Sequence, residues 1–102
     1  MTVTVLEEYP TSLSCYLLVG NENDQNITWT WSFKNTLLNS TCQMSIVSNN
    51  TQTTLSFNKT EFTNKGIYYC TASNQYGSFT RAVSLRVKSR IFILLLLLFI
   101  FD

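Results

Sequence analysis

The chain predicts an all-β fold, an antiparallel sandwich or barrel, and three observations lead there. Apolar and polar residues alternate in short segments, turn signals recur about every ten residues, and no helical period occurs before residue 90. The palette agrees: Thr, Ser, Asn, Val, Ile and aromatics abound, against three Gly and one Pro. Length limits the answer to one module plus its ends, because 102 residues can enclose one core but not two.

Taken in order, Thr2 to Leu6 is a weak strand candidate, followed by Leu13, Cys15 and Leu17 alternating with Ser12, Ser14 and Tyr16. Ile27, Trp29, Trp31 and Phe33 then alternate with Thr28, Thr30 and Ser32. Cys42 to Val47 is a second weak candidate, and Leu55 with Phe57 a short pair. Ile67 to Ala72 is a denser apolar run, and Val83, Leu85 and Val87 alternate cleanly with Ser84, Arg86 and Lys88. Composition marks Gly20 to Gln25, Asn35 to Ser40, Ser48 to Gln52 and Asn58 to Lys65 as loops.

What the composition disfavours is equally specific. Charged residues are 13% of the chain, about half the usual quarter, and the formal net charge is +1, so nucleic acid is not expected as a partner. The chain has no His, and its three Cys lack a CxxC spacing, so neither a zinc site nor a redox motif is expected, nor any cofactor. No Ser-His or Cys-His pair can be built, and the neighbouring Glu7 and Glu8 would point to opposite faces of a strand. The sequence therefore points away from an enzyme, with no catalytic or metal-binding residues.

Asn64-Lys65-Gly66-Ile67-Tyr68-Tyr69-Cys70 resembles the immunoglobulin motif Asp-x-Gly-x-Tyr-x-Cys, with Asn64 where Asp is usual. Leu55-x-Phe57 upstream extends the likeness, as do Cys70-x-Ala72-x-Asn74-x-x-Gly77 and Leu85-x-Val87 downstream, the latter similar to the intermediate set of that superfamily. The resemblance implies an immunoglobulin-like β-sandwich over residues 1–88 with one inter-sheet disulfide, Cys15 to Cys70, and a Trp packed beside it. Tyr68 would form the tyrosine corner and join the core, and Gly66 would permit the tight turn before it. Asn64 can accept a hydrogen bond but carries no charge for the family's usual pairing with Arg. Trp29 and Trp31 share a face by parity. Trp29 is preferred as the core Trp for its position 14 residues after Cys15, leaving Trp31 as a second core residue or a contact residue.

Four Asn-x-Ser/Thr sequons begin at Asn26, Asn39, Asn49 and Asn58. Roughly two to three would arise by chance, so their placement in or beside expected loops is the informative part. Sequons and a disulfide fold together suggest an extracellular setting. Cys42 is left over; by parity with Met44 and Ile46 it reads as a small buried hydrophobe, the alternative being a cysteine that pairs elsewhere.

Residues 89–102 form a separate apolar tail. Ile91 to Phe101 is an unbroken apolar run that as a helix would cover about 16 Å, half a bilayer core. A glycolipid-anchor reading would put cleavage inside the last strand. Met1-Thr2-Val3-Thr4 does not read as a signal peptide, so the expectation is a partial or truncated product of a longer single-pass cell-surface protein, with membrane association through 91–101. The expected function is an extracellular binding or adhesion module that meets a protein ligand or counter-receptor through a sheet face or loops. The loops at Gly20 to Gln25 and Asn74 to Ser78 are candidates, with Tyr76 a contact residue at the tip of the second. The alternatives are a structural spacer or a secreted ligand-sequestering receptor isoform.

Overall fold

Alternating strands satisfy their backbone groups only by pairing, and the alternation decides which face each pair buries. A computed structural model, which describes residues 1–17 and 26–89, shows eight strands. They are β1 (Thr2–Leu6), β2 (Thr11–Tyr16), β3 (Thr28–Phe33), β4 (Thr36–Leu37), β5 (Met44–Ser48), β6 (Gln52–Phe57), β7 (Gly66–Asn74) and β8 (Gly77–Lys88). One sheet runs in the order β1-β8-β7-β3-β4 and the other β2-β6-β5, with one 3-10 turn, Phe62–Asn64, leading into β7. The two-sheet sandwich expected from the sequence is present. All pairings are antiparallel except β1 on β8, where Val3 faces Leu85 in parallel register.

Two elements depart from the sequence expectation. The stretch Asn35 to Ser40 was expected as a loop, yet Thr36 and Leu37 pair with Phe33 and Ser32. Lys34 and Asn35 make this hairpin with φ of 51° and 63°, the left-handed pair that a two-residue turn between twisted strands requires. Likewise β8 starts at Gly77, well before Val83, because residues 77–82 continue the ladder with β7 through Tyr69–Ala82 and Asn74–Gly77. The polar half of that strand has no hydrophobic alternation to announce it.

The inward faces meet in a core of Leu13, Cys15, Trp31, Leu55, Phe57, Tyr68, Cys70, Val83, Leu85 and Val87. Burying each large apolar side chain here contributes about 1.5–3 kcal/mol before the entropy of ordering is charged against it. Cys15 on β2 and Cys70 on β7 are bonded, which stitches the smaller sheet to the larger across that core. The loop Gly20 to Gln25 and the apolar run 91–101 lie outside the described residues. Among the described residues no helix is long and apolar enough to cross a membrane.

Candidate functional site

Parity along β3 aims both tryptophans inward, and register decides between them. Trp31 stands opposite Cys70, at the level of the bridge, whereas Trp29 stands opposite Ala72, two pairs nearer the end of the sandwich. Trp31 is 1% exposed, and its Nε1–H donates to Thr53 Oγ1 at 2.9 Å, which in turn lies 2.7 Å from Ser48 Oγ. The core Trp is therefore Trp31, correcting the preference for Trp29, and Trp31 is closed to any contact role. Trp29 is half-buried and donates its indole N–H to the carbonyl of Asn49 at 2.8 Å. The signal missed in the sequence was Thr53: by parity with Leu55 and Phe57 it faces inward, and a buried hydroxyl there calls for a polar partner on the facing strand.

Tyr68 is 1% exposed and its hydroxyl donates to the Asn64 carbonyl at 2.6 Å, four residues upstream. Burial pushes its phenol up to about 12. Asn64 Oδ1 accepts the Glu61 backbone N–H at 2.6 Å and so braces the 3-10 turn without charge. The Tyr68 ring stacks on Phe33 at 4.3 Å and meets Phe57 edge-on at 5.8 Å. Gly66, at φ 141°, leaves room for this: a Cβ there would lie 2.8 Å from Phe33 Cε1. The glycine thus serves ring packing as well as the turn.

The remaining sequence candidates are spread over the surface. Asn26, Asn39, Asn49 and Asn58 are all exposed. Asn49 Oδ1 accepts from the backbone N–H groups of Thr51 and Gln52, which turns its amide nitrogen away from the loop it holds. Asn58 differs, since its Nδ2 donates to the Cys42 carbonyl at 2.8 Å. Cys42 is exposed and unbonded to another cysteine, correcting the buried reading. It precedes β5 rather than belonging to it, so the parity of Met44 and Ile46 does not extend to it. Tyr76 is 77% exposed at the tip of the β7–β8 hairpin.

Concavities and one open face also mark the surface of the described residues. A cavity of about 240 Å³ beside the bridge is lined by Trp29, Ala72, Phe79 and Arg81, and another of about 340 Å³ by Met44, Phe57, Asn58 and Glu61. The outward side of the five-stranded sheet presents Leu37, Ile67 and Tyr69, all substantially exposed, among Ser and Thr from β3, β7 and β8. Among the described residues no group of three or more His, Cys, Asp or Glu could hold a metal ion.

Comparison with known proteins adds the following. The model of the immunoglobulin I-set domain matches residues 2–87. The chain is similar to a titin fragment of three Ig domains at 27% identity and a TM-score of 0.74, over 84% of this chain and 29% of that one. It is also similar to the twitchin kinase region from C. elegans, at 22% identity and a TM-score of 0.74, over 84% of this chain and 15% of that one. A third likeness, at 22% identity and a TM-score of 0.74 over 86% of both chains, is to a chain from the complex of a titin domain with an Ig domain of obscurin-like 1. The chain thus spans less than a third of the first two. No curated protein matches it.

Proposed function

The chain belongs to the immunoglobulin I-set family, and from that premise we propose that it is an extracellular module of a cell-surface protein that binds another protein. The observation that carries the compartment is a bonded Cys15–Cys70 pair inside the core combined with four sequon asparagines that are all exposed. A bridge of this kind persists in oxidising compartments, where sequons also receive glycans. The binding role rests on rigid sheets that hold exposed aromatic and aliphatic groups, Tyr69 and Ile67 among them, in fixed positions. The titin domain solved in complex with an obscurin-like 1 Ig domain gives the fold a precedent for pairing with another such domain.

The test is to express the full chain in a secretory cell line, map its cysteines without reduction, and treat it with an endoglycosidase. The expected result is a Cys15–Cys70 peptide and a mass loss on deglycosylation, with binding to a panel of cell-surface ectodomains. Free Cys15 and Cys70 together with an unchanged mass would sink the extracellular reading. A spacer role is favoured by one observation, that this fold recurs in tandem in the three-Ig titin fragment. Binding to no ectodomain of the panel by a glycosylated, bridged chain would select it.

A further inference from the structure

We propose that Asn58 carries an N-linked glycan, attached before the chain folds, whose first sugar lies in the cavity beside β5 and shields the thiol of Cys42. The first observation is an anomaly. Thr60, the third residue of the sequon Asn58-Lys59-Thr60, is fully buried, and its hydroxyl has no hydrogen-bond partner among the described residues. Its backbone is engaged, since its N–H donates to the Tyr9 carbonyl and its carbonyl accepts from the Glu8 N–H, but the hydroxyl serves nothing in the fold. A buried polar group left unpaired is destabilising, and a Val of the same shape would avoid that. The use of this hydroxyl therefore lies outside the folded state, and transfer of a glycan to Asn58 is the chemistry that requires a hydroxyl two residues on. The sequons of Asn39 and Asn49 carry no such sign. Thr41 Oγ1 accepts from the Gln43 and Met44 N–H groups, and Thr51 Oγ1 donates to Asn49 Oδ1 at 3.1 Å, so both hydroxyls have a part in the fold.

The order of events follows from the same burial. A transferase cannot reach Thr60 once the sandwich has closed, so the step belongs to the unfolded chain. In it the C1–O bond of a lipid-linked pyrophosphate sugar donor breaks and its electron pair leaves with the pyrophosphate, while a C1–N bond forms to Asn58 Nδ2 and one Nδ2 proton is released.

The second observation is the room the product would occupy. Nδ2 bears two hydrogens, and the bond that Asn58 makes to the Cys42 carbonyl at 2.8 Å needs one of them. The sugar replaces the other, so modification and folding are compatible and the bond to Cys42 fixes where the sugar stands. Asn58 borders the cavity of about 340 Å³, near the lower end of the ~300–1,000 Å³ of small-molecule sites. Met44 and Phe57 give its lining an apolar part, and Thr41, Gln43 and Glu61 a polar one. A pyranose ring matches that mixture, with C–H bonds on its faces and hydroxyls around its edge. Thr41 and Gln43 flank the exposed Cys42 in the chain, so a sugar seated here covers the thiol and keeps it from pairing with another molecule.

The inference rests on the reading of the chain as an extracellular module. It is tested by comparing the full chain with Thr60→Val, which deletes this sequon alone, both expressed in the secretory cell line. Peptide N-glycosidase in heavy-oxygen water, followed by peptide mass mapping, should mark Asn58 in most wild-type molecules and in none of the variant. A bulky maleimide should label Cys42 of the native variant at least fivefold faster than that of the wild type. Chain made without glycans and folded with its bridge closed should accept no sugar at Asn58 from a microsomal transferase and its lipid-linked donor, whereas the same chain reduced and unfolded should. An unmodified Asn58 beside an occupied Asn26, Asn39 or Asn49 overturns the proposal and leaves the extracellular reading standing; glycan at no sequon, with Cys15 and Cys70 free, removes both. Equal labelling of Cys42 in the two proteins overturns the shielding, and sugar accepted by the folded chain overturns the order of events.

Discussion

Tyr68 concentrates several demands on one side chain. Its ring is packed between Phe33 and Phe57, its hydroxyl is committed to the Asn64 carbonyl, and its phenol is raised from 10.0 to about 12 by burial. In the unfolded chain the phenol ionises near 10, so the folded state is fully favoured below that pH and loses this advantage between about 10 and 12. Tyr68→Phe should cost about 1 kcal/mol near neutrality and flatten that alkaline loss, both readable by urea denaturation across pH. Gly66→Ala should cost more, about 2–4 kcal/mol, because the new methyl meets the Phe33 ring at 2.8 Å at a backbone φ of 141°. Tyr68 and Gly66 were legible as a motif, but the clash with Phe33 was not, since β3 and β7 come together only in the folded sheet. Thr60 is the opposite case: it is fully buried and its hydroxyl finds no protein partner. In unglycosylated protein Thr60→Val should therefore raise stability by about 1 kcal/mol in the same assay.

At the scale of elements, β3 carries two inward tryptophans whose costs of substitution should differ. Trp31→Phe removes the indole donor to Thr53 and opens space beside the bridge, so about 2–3 kcal/mol should be lost. Trp29→Phe loses a bond to the exposed Asn49 carbonyl and should cost about 1 kcal/mol, with the ranking checked by thermal melts of the two variants. The ranking opposes the one that spacing from Cys15 suggests, because parity gives the face of a residue and only register gives its level. The same distinction explains which strands could be read. Those with one buried face, β2, β3 and the end of β8, announce themselves by alternation. β4 and the first half of β8 do not, because their residues are exposed and are strands only by virtue of the neighbour they pair with.

For the whole molecule, the bridge is the one disulfide among the described residues, and it cross-links the three-stranded sheet to the five-stranded one. It closes a loop of 55 residues, and in a chain of this size removing it should cost about 2–5 kcal/mol, comparable with the margin of a small domain. At about 4–8 °C per kcal/mol for a domain of this length, the paired change Cys15→Ala and Cys70→Ala should lower the melting temperature by about 8 °C or more. The same pair leaves Trp31 beside two small cavities, so part of the loss is packing and part is chain entropy. Reduction of the wild-type chain, which breaks the bond but keeps both sulfur atoms in place, separates the two. A drop on reduction close to that of the double substitution would assign the loss to the constraint on the unfolded chain. A small drop would assign it to packing, and would mean that the sandwich holds in a reducing compartment as well, which bears directly on where the domain can work.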